Sequence, residues 1–292
     1  MKKHTIYFLL AVVFISCRPD LNYEIHGYTQ KIIVEGYISN GEFPKVYLSL
    51  NVPLSKQVDS VNILENVIRT AKVTISDSLN PQAVGAKTEI LTSGWDKTHF
   101  PPYVYRGTDI KGEEGKTYYL TVDYSGYTLH AKTTIPTATR INEFTVLPVS
   151  GNDSLRILYM TFNIDPTLKN SYRVATKKRK DNYYINTPFL YNSEFTLSGA
   201  NTFTISPQAT EKDSSFSEGS YFAKGDTIQI QFSTIDSIST QFFKSLTLFS
   251  ASTGIGNIYF IGEKEALKSN ISAPGFGIWY GKGNSDYTYI IP

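Results

Sequence analysis

From Lys31 onward, short runs of apolar, β-branched and aromatic residues recur, each closed by Gly, Pro, Asn, Asp or Ser. Alternation with a period of two over four to eight residues marks a strand with one buried face. Lys31–Ser39 (KIIVEGYIS) is such a run. Asn40-Gly41 tolerates the positive φ of a tight turn, so Lys45–Leu50 (KVYLSL) is predicted to pair back on it. Val52–Val67 has no sustained period and reads as a loop. Ala71–Asp77 alternates, with Val73 and Ile75 on one face, and Lys87–Ser93 and Tyr103–Thr108 follow as strands. Pro101-Pro102 bars a helix between the last two. Gly112–Pro136 holds the clearest hairpin, TYYLTVDY and YTLHAKTTI about Ser125-Gly126. Such dense short strands suit an immunoglobulin-like β-sandwich over 31–137. Pro136 and the TATR after it mark a boundary.

The second half, 138–292, is predicted as a β-rich domain with one helix. Ile141–Val149 opens it. Ser154–Pro166 is a long strand apolar on both faces, which suits a central position. Ser171–Ile185 reads as a hairpin whose turn carries Lys177, Lys178, Arg179 and Lys180. Glu194–Ser206 is a further strand, followed by a polar stretch. In Asp226–Ile235, Ile228, Ile230 and Phe232 alternate with Gln229, Gln231 and Ser233. The helix is expected near 237–251: Asp236 or Ser237 caps it, Phe242, Leu246 and Phe249 form its stripe, and Gly254 and Gly256 end it. Glu263–Lys268 is a candidate helical turn, and GIWYG and DYTYII read as two closing strands.

The first 30 residues break this pattern. Lys2 and Lys3 precede an apolar run, Ile6–Ile15, too short to span a bilayer, which needs about 20 residues. The run ends in FISC at Cys17, the sole cysteine of the 292-residue chain. A bulky Phe14 suits ordinary signal cleavage poorly, whereas apolar-x-small-Cys fits a lipobox. Residues 1–16 are therefore expected to be a signal peptide, Cys17 the lipidation site, and 17–30 a polar tether. With about 0.8 kcal/mol for each buried CH₂, several acyl chains anchor stably.

Removing residues 1–16 takes two of the 28 Lys+Arg and none of the 26 Asp+Glu, so the remainder carries no net side-chain charge. That balance argues against a nucleic-acid partner. With no second cysteine, stability has to come from a core rather than disulfides.

Candidate chemistry is sparse. His26, His99 and His130 fall in no metal-binding spacing, and no metal or cofactor is expected. There is no GxSxG elbow and no calcium loop. Gly275-x-Gly277 lacks the third glycine of a dinucleotide fingerprint and reads as a close approach of strands. Glu113-Glu114 reads as a solvated turn, and the Lys177–Lys180 run as either a solvated tip or a contact to anionic headgroups. Trp95, Tyr103 and Tyr105 beside Pro101-Pro102, with Trp279 and Tyr280, are the candidate binding surface; packing beneath loops is the alternative for each.

Six features in order carry a family resemblance: Cys17, Val34-Glu35-Gly36-Tyr37-Ile38, Ala71–Asp77, Gly115–Val122, Ile235–Ser239 with Phe242-Phe243, and Ser269-Asn270-Ile271 before Gly275–Gly281. Together they resemble the domain of unknown function 4249 family, lipoproteins of Bacteroidota outer membranes. Ala273-Pro274 departs mildly from its pattern. The resemblance implies an outer-membrane location and association with TonB-dependent receptors, and it supplies no catalytic residues. The expected function is a non-enzymatic accessory or binding partner of such a transporter. The alternative is a carbohydrate- or peptide-binding lipoprotein acting through its aromatic loops.

Overall fold

The computed structural model describes residues 30–52, 60–165, 167–181, 184–186, 191–192, 199–205, 221–253 and 267–292. Cys17, the expected signal peptide and the expected tether up to residue 29 lie outside them. So do Gly254, Gly256 and most of the turn expected at Glu263–Lys268.

The first half contains β1 (Ile32–Ser39), β2 (Lys45–Leu50), α1 (Ser60–Glu65), β3 (Lys72–Ser76), β4 (Thr88–Ile90), β5 (Thr92–Trp95), β6 (Tyr103–Arg106), β7 (Thr117–Tyr124) and β8 (Tyr127–Thr134). The second contains β9 (Ile141–Val149), β10 (Asn152–Ile164), β11 (Ser171–Lys178), β12 (Ile185–Asn186), β13 (Tyr191–Asn192), β14 (Gly199–Ile205), β15 (Phe222–Ala223), β16 (Thr227–Ile235), α2 (Ser237–Thr253) and β17 (Phe276–Ile290). The protein is mainly β, as its alternation predicts.

Three sheets result. A nine-stranded sheet runs β12-β11-β16-β17-β1-β2-β6-β5, with β13 also on β11. A four-stranded sheet, β4-β3-β7-β8, closes the N-terminal sandwich over a core that includes Val34, Ile38, Val73, Leu120 and Trp279. A second four-stranded sheet is built on β10, between β9 on one edge and β14 and β15 on the other. It encloses Leu158, Met160, Phe162, Val174, Ile230 and Phe232.

The predicted hairpins form. β1 pairs antiparallel with β2, and β7 with β8 about Ser125 and Gly126, both at positive φ. Three regions differ from expectation. The expected strand Lys87–Ser93 is two strands in different sheets: β4 pairs β3, β5 pairs β6, and the chain changes sheet at the buried Leu91. The Val52–Val67 loop contains the short helix α1.

The third difference matters most. GIWYG and DYTYII are not two strands but one, β17. Its first part pairs parallel with β1 (Gly36↔Trp279, Ser39↔Lys282) and the rest antiparallel with β16 (Thr234↔Gly283, Thr227↔Ile290). Lys282-Gly283-Asn284-Ser285 has turn-like composition but runs straight. Gly283 is needed there, because a Cβ would lie 2.3 Å from the Pro136 carbonyl oxygen. The large sheet therefore joins strands from both halves of the chain, through the pairing of β1 with β17.

The family motifs pack together in β1 and β17. The Gly36 Cβ position would lie 2.9 Å from the Trp279 ring, so a larger residue would displace the indole. Gly277, at φ +129°, lies so close to Val34 that a Cβ would stand 1.9 Å from its carbonyl oxygen. Asn270 takes the place of a strand partner: its Oδ1 accepts from Trp279 N–H at 2.9 Å and its Nδ2 donates to the Trp279 carbonyl at 2.7 Å.

On the opposite face of the large sheet, Ile33, Ile278 and Tyr280 meet Ile63 of α1 and Phe242 of α2. Asp236 caps α2 by accepting from Ser239 N–H at 2.8 Å, and Phe242 and Phe249 are buried as the helical stripe predicts. The helices cover only part of this face. The uncovered part carries the candidate site.

Candidate functional site

Successive side chains on a strand point to opposite faces. In β1, Ile32, Val34 and Ile38 enter the sandwich core, which sends Glu35 and Tyr37 to the other side. In β17, Trp279 enters the core, while Tyr280 and Lys282 join Glu35 and Tyr37. β2 adds Lys45 and Tyr47, β6 Arg106, β11 Arg173 and Lys177, and β16 Gln231 and Ser233. The 40–44 turn, the 98–99 loop, Lys111 and Tyr184 complete the rim of a cavity of about 640 Å³. That volume is within the range of small-molecule sites.

One wall is a dense polar network. The buried carboxylate of Asp96 accepts from Lys45 Nζ at 2.8 Å, Tyr47 Oη at 2.9 Å and Thr98 N–H at 2.9 Å, with Arg106 Nη2 at 3.5 Å. Burial alone would raise its pKa, but the hydrogen bonds from Lys45 and Thr98 hold it well below the usual carboxylate range. His99 stacks on Tyr47, with ring centroids 3.6 Å apart. Its Nδ1 lies 3.0 Å from the Pro101 carbonyl, to which it can only donate, and its Nε2 lies 3.4 Å from Glu35. Desolvation opposes protonation of this ring, but Glu35 and the Pro101 carbonyl together raise its pKa.

The remaining cations are seated differently. Lys282 Nζ lies 4.0 Å from the centre of the Tyr37 ring, Arg173 Cζ 4.0 Å from Phe243, Lys111 Nζ 5.1 Å from Phe43 and Lys177 Nζ 5.8 Å from Tyr184. Each is within cation–π range. Lys282 is 9% exposed and donates one hydrogen bond, at 3.4 Å, to Gln231 Oε1. Chiefly through burial, and through the charges of Arg173 and Lys45, its pKa falls to about 8 against the opposing pull of Glu42 and Asp286.

The aromatic residues singled out from the sequence separate. Tyr280 lines the cavity. Trp279 is fully buried in the sandwich, its Nε1 donating to the Tyr118 carbonyl at 3.1 Å, so its expected surface role is corrected to a core one. Tyr105 is also buried, donating to the Ile68 carbonyl at 3.1 Å. Trp95 is 66% exposed and packs edge-on against Tyr103, on the face of β5 and β6 opposite the cavity. Within the basic run, Lys177 and Lys178 are strand residues rather than a tip. Lys177 lines the cavity and Lys178 pairs with Asp226 at 3.2 Å.

The family profile of a domain of unknown function, DUF4249, matches residues 18–284. The chain belongs to this family. The motifs that carry the DUF4249 resemblance thus frame the cavity, since Glu35, Tyr37 and Tyr280 line it while Gly36 and Trp279 lock the strands beneath. No curated protein matches this DUF4249 chain. Among solved structures, one titled as a cytokine receptor complex aligns at 7% identity and a TM-score of 0.24, over 71% of this chain and 86% of that one.

Proposed function

We propose that this protein is a lipid-anchored, non-enzymatic binding protein of the outer membrane. It holds a small polar ligand in the sheet-face cavity and works as the accessory of a TonB-dependent transporter. The observation that carries the binding role is the cavity itself: one continuous sheet presents aromatic, charged and polar side chains from six strands around one solute-sized space. A site built on strands is held more firmly than one built on loops. The state of the titratable groups supports holding rather than proton transfer. Asp96 is saturated with donors, and both nitrogens of His99 are engaged. The FISC stretch ending in Cys17 supports the lipid anchor, and an anchor would raise the local concentration of the site beside a membrane partner.

The test is to purify the tagged protein in detergent from its native membrane and identify by mass spectrometry the small molecules and proteins that come with it. A ligand carried by wild type and lost in Ala175→Trp, which fills the cavity from β11, is the expected result. A ligand retained by Ala175→Trp and lost in Trp95→Ala would move the site to the aromatic loops. A barrel protein is expected in the same preparation, and its absence would remove the transporter part of the proposal.

A further inference from the structure

Resting on the binding role proposed above, we infer that the ligand is a small organic polyanion, whose anionic oxygens are received by Lys282, Arg173 and Lys177. Six basic side chains line the cavity against two carboxylates, Glu35 and Glu42. Residues 17–292 carry no net side-chain charge, so this excess is local. Lys45 and Arg106 share Asp96. Among the described residues, the other four (Lys111, Arg173, Lys177 and Lys282) have no carboxylate within ion-pair distance. Each rests instead near an aromatic ring, which attracts a cation but offers no carboxylate oxygen to its N–H donors.

The carboxylates nearby form no ion pair with these four, although Glu42 and Asp286 act on Lys282 from a longer distance. Glu35 faces His99, Asp286 accepts from Gln231 at 3.3 Å, and Glu42 stands on an exposed turn. A concave wall lined by one sign of charge focuses the field on an entering ion. Lys282 is the decisive residue. An ammonium more than nine-tenths buried with a single long hydrogen bond is costly to keep, and an anion placed in the cavity supplies what it lacks. Arg173 adds a planar fork suited to a carboxylate or sulfate. The volume admits more than one charged group, and the cations stand on two different strands, β11 and β17, as well as at Lys111.

The test is calorimetric titration of the full-length protein in detergent. The probes are digalacturonate and its neutral dimethyl ester, with glucose 3,6-disulfate and glucose as a second matched pair. The expected result is binding of the charged member of at least one pair at least tenfold tighter than its neutral counterpart, with the preferred pair distinguishing carboxylate from sulfate. Lys282→Gln and Arg173→Gln should each weaken it at least tenfold, while Trp95→Ala stays within twofold. Melting curves establish that each variant is folded. Should Lys282→Gln not fold, Lys177→Gln at the rim carries the same expectation with a smaller loss. Equal binding of charged and neutral members, unchanged by Lys282→Gln, would overturn the polyanion inference and leave the binding role standing. Failure of every probe, together with no small molecule carried from the native membrane, would overturn both.

Discussion

Lys282→Met should make the protein more stable at neutral pH, not less. The ammonium of Lys282 is buried, and its pKa falls from the ordinary 10.5 to about 8. At about 1.4 kcal/mol for each tenfold change, holding the charged form in the fold costs roughly 3 kcal/mol below pH 8. The cation–π contact with Tyr37 and the 3.4 Å bond to Gln231 offset about 1 to 2 kcal/mol of that. Methionine keeps the apolar stem and removes the charge, so the net gain is about 1 to 2 kcal/mol, a rise in Tm of roughly 2–5 °C for a chain of this size. The pH dependence carries the same sign. Between pH 8 and 10.5 the unfolded lysine still binds a proton that the folded one has released, so wild-type stability gains from this group as pH rises through that window. The variant has no such gain, and its advantage should vanish by about pH 10.5. Thermal melts of both proteins at several pH values between 7 and 10.5 measure this. A variant that melts lower than wild type at pH 7 would mean that Lys282 serves the fold, and the argument that it is retained for a ligand would fail.

Asn270→Ala should cost about 2–3 kcal/mol in chemical denaturation, because it leaves the Trp279 N–H and carbonyl without their partners. Trp279→Ala empties the centre of the sandwich and should cost about 3–5 kcal/mol, with loss of the near-ultraviolet signal of a buried indole. Asp96→Asn should cost about 2–3 kcal/mol at neutral pH, since Lys45 and Arg106 lose their carboxylate. The lowered pKa of Asp96 makes its contribution present above about pH 4 and lost as pH falls below that, so acid titrations of wild type and variant should converge.

Much of the scaffold was legible because period-two alternation is a local signal. The β7–β8 hairpin, the inward Ile228, Ile230 and Phe232 of β16, and the Phe242 and Phe249 stripe of α2 are all written in consecutive residues. The resemblance through Gly36, Asn270, Gly277 and Trp279 was legible too, and the structure gives it a cause in one tightly packed strand pair. The change of sheet at Leu91 was hidden, because one weak run serves two sheets. The continuity of β17 was hidden by residues that favour turns elsewhere.

The cavity was the least legible feature. Its groups come from β1, β2, β6, β11, β16 and β17, brought together only by the parallel pairing of the first strand with the last. A trace of it was present. Glu35 and Tyr37 alternate with the core residues of β1, and Tyr280 and Lys282 with Trp279 and Gly281 in β17, so both strands carry charge and aromatic rings on their second face. Aromatic content pointed to Trp95, Tyr103, Tyr105, Trp279 and Tyr280, of which Tyr280 lines the cavity, Trp95 and Tyr103 stand on the opposite face and Tyr105 and Trp279 are in the core.

The most direct measurement is an experimental structure of the protein with the ligand that accompanies it from the native membrane. The account predicts that the ligand lies on the open face of the large sheet, with anionic oxygens within hydrogen-bond distance of Lys282 and Arg173. A ligand seated against Trp95 and Tyr103, with the sheet-face cavity holding only water, would contradict it.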